Sequence, residues 1–193
     1  MKKIQLVGLS LVLALSYQCK EAKKETKEEA VKEIEETIEV VEEVEVITFK
    51  MESKSGSNVE GEVTFTEKDG MISMSALLSG LTEGEHAIHI HEKADCSSDD
   101  GKSTGGHWNP THEPHGKWGN PEGYHKGDIG NFTADADGNA EVIHSTDEWC
   151  IGCEDEAKNI VGKAVIVHQG VDDFTSQPSG AAGARVSCTG IIQ

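Results

Sequence analysis

Apolar and polar residues alternate with a period of two through most of the chain beyond residue 45, and that period predicts short strands with one buried face. The pattern places them at 46–54, 59–67, 71–79, 86–91, 129–134, 140–144, 162–167 and 184–191. Lys68-Asp69-Gly70 and Thr82-Glu83-Gly84 read as turns between them, and Asp137-Gly138-Asn139 reads as a hairpin turn. Regular short strands with turn signals predict an all-β chain, an immunoglobulin-like sandwich or flattened barrel.

One stretch breaks the alternation. Gly105-Gly106-His107-Trp108-Asn109-Pro110, through His115 to His125-Lys126-Gly127-Asp128, is rich in glycine and proline and too irregular for helix or sheet. A loop of that length needs something to order it, and a metal ion would do so. The flanking strands supply the partners. His89 and His91, two apart on a strand, project from one face, and His168 ends the β-branched run Ala164-Val165-Ile166-Val167. Together His89, His91, His107, His115, His125, Asp128 and His168 can hold two metal ions. Imidazole is the commonest ligand for copper and zinc, and a lone carboxylate among histidines suits zinc. A single strand histidine is ordinarily exposed or hydrogen-bonded; seven donors on two strands and one loop are a different matter. His112 and His144 read as surface residues, and His86 as a neighbour of the ligands.

Charge and cysteines bound the setting. The 193 residues carry 35 acids against 17 lysines and arginines, a formal net charge of −18, so a nucleic-acid partner is excluded. Lys2 and Lys3 precede an apolar run, Leu6 to Leu15, too short to span a bilayer. Residues 1–18 therefore read as a signal peptide. Ala14-Leu15-Ser16 offers an ordinary cleavage site, while Cys19 directly after the run resembles a bacterial lipoprotein attachment site. Residues 19–45 are then a lipid-attachment cysteine and a charged spacer, with five lysines and eleven glutamates between 20 and 45. Val31, Ile34, Ile38 and Val41 keep helical spacing there, which leaves a transient or partner-bound helix open. Residues 46–193 fit one domain, without internal repeats. The expectation is an exported protein of the bacterial periplasm or cell envelope, touching membrane only through lipid on Cys19. Lipid there accounts for the odd one of five cysteines. Cys150 and Cys153 form a Cys-x-x-Cys pair, for which a local disulfide is favoured and a metal-binding or redox dithiol stay open. Oligomeric state has no signal in the sequence.

His89-Ile90-His91-Glu92, Gly106-His107-Trp108-Asn109-Pro110, His125-Lys126-Gly127-Asp128-Ile129-Gly130-Asn131, Val167-His168 and Gly180-Ala181-Ala182-Gly183-Ala184-Arg185-Val186-Ser187-Cys188 resemble the motifs of the copper/zinc superoxide dismutases, in that family's order. The resemblance implies a Greek-key fold with long metal-binding and electrostatic loops. It implies copper on His89, His91, His107 and His168, and zinc on His107, His115, His125 and Asp128, so that His107 is shared. It makes Asp172 the carboxylate linking a copper-ligand histidine to a zinc-ligand histidine, with Asp173 as competitor, and Cys96–Cys188 a disulfide. The implied reaction converts superoxide to dioxygen and hydrogen peroxide, with Arg185 drawing in the anion and His107 carrying a proton. Cys150 and Cys153 have no counterpart in the common pattern. The segment between His168 and Arg185 is short and without lysine, which leaves Lys117 and Lys126 as candidates to guide the anion. Residues 46–193 carry 24 acids and 10 bases, a net of −14, so any positive field must be local. Two other readings compete: a copper or zinc buffer or delivery protein without catalysis, and a structural or adhesive β-sandwich.

Overall fold

The computed structural model describes residues 44–193. The signal peptide of residues 1–18, the attachment site at Cys19 and nearly all of the spacer lie outside the described residues. Within them the chain forms eight strands: β1 (Glu45–Ser53), β2 (Glu60–Lys68), β3 (Met71–Ser79), β4 (Gly84–His91), β5 (Gly130–Ala134), β6 (Ala140–Thr146), β7 (Ala164–His168) and β8 (Arg185–Gly190). Each predicted strand appears, with ends shifted by two residues or fewer.

All pairings are antiparallel, in the order β5-β4-β7-β8-β1-β2-β3-β6. One half of the flattened barrel is β6-β3-β2-β1 and the other is β5-β4-β7-β8. The halves join where Glu52 and Ser53 of β1 pair with Cys188 and Ser187 of β8. β6 returns to lie beside β3, the return of a Greek key. Asp69 and Gly70, both at positive φ, make the two-residue turn that joins β2 to β3 in register, Lys68 opposite Met71.

The burial of β3 alternates along its length, with Ile72, Met74, Ala76 and Leu78 turned into the core. Val63 and Phe65 of β2, Ile88 and Ile90 of β4, and Val165 and Val167 of β7 meet them there. β4, β7 and β8 differ from the rest because the outer face of each is largely buried as well. Loop segments cover those strands, and the metal-binding histidines stand on that covered face.

Candidate metal centre

In β4, Ile88 and Ile90 enter the core, so the alternation turns His89 and His91 the other way. The β4–β5 ladder ends at Ile88 opposite Gly130, and the vacated edge takes loop backbone instead. The Trp108 N–H donates to the Ile90 carbonyl at 2.8 Å, Ile90 N–H to Gly127 at 2.9 Å, and Glu92 N–H to Gly106 at 3.0 Å. This docking places His107 beside His91 and brings the turn of His125 and Asp128 alongside. Gly127 is required there, since a side chain would overlap the Ile90 carbonyl. On the other flank a register shift between Val167 and His168 turns the last residue of β7, and His168 faces Arg185 of β8.

The result is two donor quartets. His89, His91, His107 and His168 bring ligand atoms within 4.8 Å of one another, and so do His107, His115, His125 and Asp128. His107 belongs to both, and all seven residues are buried. Asp128 lies at the hub of the second, with Oδ1 2.8 Å from His107 Nδ1 and 3.3 Å from His125 Nδ1, and Oδ2 3.0 Å from His115 Nδ1. Asp172 lies behind both quartets. His89 Nε2 donates to its Oδ2 at 2.8 Å and His115 Nε2 to its Oδ1 at 2.9 Å. Asp173, by contrast, accepts from Thr175 and Ser176 of its own turn.

The six histidine rings of the quartets present buried nitrogens without a hydrogen-bond partner: His89 Nδ1, His91 Nε2, His107 Nε2, His115 Nδ1, His125 Nδ1 and both nitrogens of His168. Buried polar atoms are rarely left so, and convergent orphans on imidazoles fit metal ions. The first set, all imidazole, suits copper; the second, three imidazoles and a carboxylate, suits zinc.

Burial, then the neighbouring histidines, push the His91 and His168 imidazoles far below their ordinary value. Burial likewise takes His107 down to about 4, against the pull of Asp128. These rings are neutral at physiological pH, the form that binds metal. Burial would raise Asp128 and Asp172, but hydrogen bonds from the histidines outweigh it and hold both well below the carboxylate range.

Arg185 is set at the open side by the segment beginning at Cys96. Its guanidinium donates to the carbonyls of Gly101 and Gly105, both at 2.8 Å, and to the Thr104 hydroxyl at 3.0 Å. The Cys96–Cys188 disulfide ties that segment to β8. The cleft there is lined by His91, His107, His168, Arg185 and, on the rim, Lys102.

The remaining sequence readings divide between those that hold and those that the structure revises. Lys117 and Lys126 are not among the residues lining the cleft, and Lys126 is ion-paired with Glu148. Lys102, which the sequence did not single out, takes that place, paired with Asp100 at 2.8 Å. His144 is half-buried rather than freely exposed: Trp118 and Trp149 pack on it at 4.5 and 5.0 Å between ring centroids. His112 is exposed, and His86 Nδ1 donates to the His168 carbonyl at 3.0 Å. Cys150 and Cys153 form a disulfide. Asn131 also escaped the sequence reading; its amide pairs twice with the Asp172 main chain, at 2.8 Å each way. Its only signal was its place after Asp128-Ile129-Gly130.

A family model described as copper/zinc superoxide dismutase (SODC) matches residues 59–192. The superoxide dismutase-like protein YojM of Bacillus subtilis is 34% identical over 136 residues, spanning 68% of this chain and 67% of that protein. A copper-zinc superoxide dismutase of Caulobacter vibrioides is 39% identical over 137 residues, 69% and 78% of the two chains. A second one, from Aquifex aeolicus, is 36% identical over 143 residues, 70% and 82%. Among solved structures, a double mutant of a superoxide dismutase-like protein from Bacillus subtilis superposes with a TM-score of 0.68 at 32% identity, covering 76% of this chain and 97% of its own.

Proposed function

The chain belongs to the copper/zinc superoxide dismutase family, and from that premise we propose that it disproportionates superoxide at a copper bridged to zinc through His107. Two superoxide anions and two protons give one dioxygen and one hydrogen peroxide. His89, His91, His107 and His168 would hold copper, and His107, His115, His125 and Asp128 would hold zinc. Bound there, copper supplies a one-electron redox couple and zinc a fixed charge without redox chemistry.

The protein's own groups divide the remaining work. Arg185 presents a permanent positive charge to the cleft, and its three hydrogen bonds fix the direction from which an anion approaches. His107 Nε2, on the copper side, accepts a proton in one half of the cycle and gives it up in the other. The Nδ1 end lies against Asp128, which would hold the ring in place while Nε2 takes up and gives up that proton. Asp172 holds His89 and His115 by their far nitrogens and thereby sets which nitrogen each turns toward metal.

The observation that carries this reading is a single imidazole common to two buried donor quartets, with an arginine opposite one of its neighbours. A metal-holding protein without catalysis would need neither feature. Purified full-length protein loaded with both ions should consume superoxide far faster than the same amount of free copper. Full occupancy of both sites together with no superoxide loss would establish the metal-holding reading instead.

The proposed place of action is outside the cytoplasm. It is supported by the leader and Cys19 in the sequence and by two disulfides in the described domain. A Cys19→Ser chain that still partitions with membranes would remove the lipid anchor from this account.

A further inference from the structure

His115 stands in a stretch of loop with no strand beside it, and its main chain is nevertheless held at two points by one side chain. The His115 N–H donates to Gln177 Oε1 at 2.9 Å, and Gln177 Nε2 donates to the His115 carbonyl at 2.9 Å. A single amide thus reproduces the paired contact that one strand makes with its neighbour. The same loop grips the ring, since Asp172 Oδ1 accepts from His115 Nε2. His115 Nδ1 is left buried and without a hydrogen-bond partner, 3.0 Å from Asp128 Oδ2.

The platform for Gln177 is built independently of the loop it grips. Asp173 accepts from the N–H groups of Thr175 and Ser176 at 2.9 and 2.8 Å and from the Ser176 hydroxyl at 2.5 Å. The Ser176 carbonyl accepts from Gly180 N–H at 2.7 Å. Gln177 follows this closed turn at the surface, and only its amide reaches inward.

We infer that Gln177 is a positioning residue for zinc: it fixes the main chain of His115 so that Nδ1 meets the ion already aimed, and it couples retention of zinc to the docking of residues 169–184. The inference rests on the reading of His107, His115, His125 and Asp128 as zinc ligands. It goes beyond that reading, because Gln177 touches neither metal nor substrate. The chemistry asks for an amide of this length. The His115 main chain presents a donor and an acceptor side by side, and glutamine answers both. A glutamate answers the N–H and opposes the carbonyl, while leucine answers neither.

The test compares the full-length chain with Gln177→Leu and Gln177→Glu, each loaded with zinc or, in parallel, with cobalt(II). Zinc transfer to an excess of a chromophoric chelator is timed, and the cobalt absorption bands of the site are recorded. Gln177→Leu should release zinc roughly tenfold faster, the lower end of what partners of metal ligands contribute. Gln177→Glu should fall between it and the parent, and the cobalt bands should shift in the same order. Because the residue is at the surface, its loss leaves no cavity, so the zinc-free variants should melt only modestly below the parent and the gap should widen when zinc is bound. Unchanged release and unchanged cobalt bands in Gln177→Leu overturn the inference, and so does an equal loss of thermal stability with and without zinc. A parent chain that takes up neither ion overturns the zinc-site reading itself, a separate result.

Discussion

Gly180 sits at φ 64° against the hydrogen bond between Asp172 and His115. A methyl group built there would overlap Asp172 Oδ1 and crowd His115 Nε2. Gly180→Ala should cost about 2–4 kcal/mol from backbone strain and overpacking together, and should loosen zinc, as thermal melts and chelator competition would show. His115 itself makes metal uptake depend on protons. Burial pushes its imidazole down, but close contact with the Asp128 and Asp172 carboxylates outweighs burial and lifts it from 6.5 to about 9. A histidine raised by folding contributes stability that is complete below its unfolded value and fades as pH climbs through its folded one. The two aspartates, lowered by folding, contribute stability above their ordinary 3.8 that is lost on acidification. His91, His107 and His168, pushed down by burial, likewise contribute stability that is lost as pH falls below 6.5, so protein stripped of metal should melt highest near roughly pH 7 and lose stability on both sides. At neutral pH zinc should displace about one proton, measured by calorimetry in two buffers of different ionisation enthalpy. Proton-free uptake would put His115 outside the zinc site.

At the scale of elements, the strands were legible because alternation survives wherever one face meets solvent. β4 and β7 lose that contrast, yet their histidines betrayed the second buried face by its chemistry: polar groups that recur in a fully buried strand need partners. What alternation could not convey was which loop covers which edge. The vacated flank of β4, the shifted register at Val167 and His168, and the three acceptors around Arg185 arise from docking between segments far apart in sequence. For the same reason the lysine that lines the cleft could not be read from the sequence. Lys117 and Lys126 lie near ligands in the chain, whereas Lys102 reaches the cleft because the Cys96 segment folds over Arg185. Lys102→Gln should lower the low-salt rate by about twofold and flatten its dependence on ionic strength, while Lys117→Gln and Lys126→Gln leave the salt profile as it is. Stopped-flow superoxide decay across a salt series decides between them. His144 failed differently: a lone histidine on an alternating strand gives no hint that Trp118 and Trp149, 26 and 5 residues away, close over it.

At the scale of the whole molecule, two disulfides of unequal reach act on the same fold. Cys96–Cys188 spans 92 positions and pins the cover of the metal centre to β8; Cys150–Cys153 spans three and closes a local turn. Chain entropy makes the first worth about 4–5 kcal/mol and the second about 2. Replacing Cys96 and Cys188 with serine should thus lower the melting temperature at least twice as far as replacing Cys150 and Cys153. Comparable losses from the two pairs would mean that strain or unfolded-state structure dominates. The net charge of −14 over residues 46–193 is a further whole-molecule property; it opposes an anionic substrate, and Arg185 in the cleft supplies a local positive charge against it.

The sequence by itself determined the strand set, the donor types and the family, because period, imidazole count and motif order are properties of the chain and need no coordinates. The resemblance already implied a shared His107 with Asp172 behind it; tertiary structure alone decided that Asp173 turns to its own loop, that Gln177 bonds the His115 main chain, and that Lys102 lines the cleft. Those outcomes depend on distances of a few ångströms between loops tens of residues apart. Docking and register set such distances, and the linear order of residues does not encode them locally.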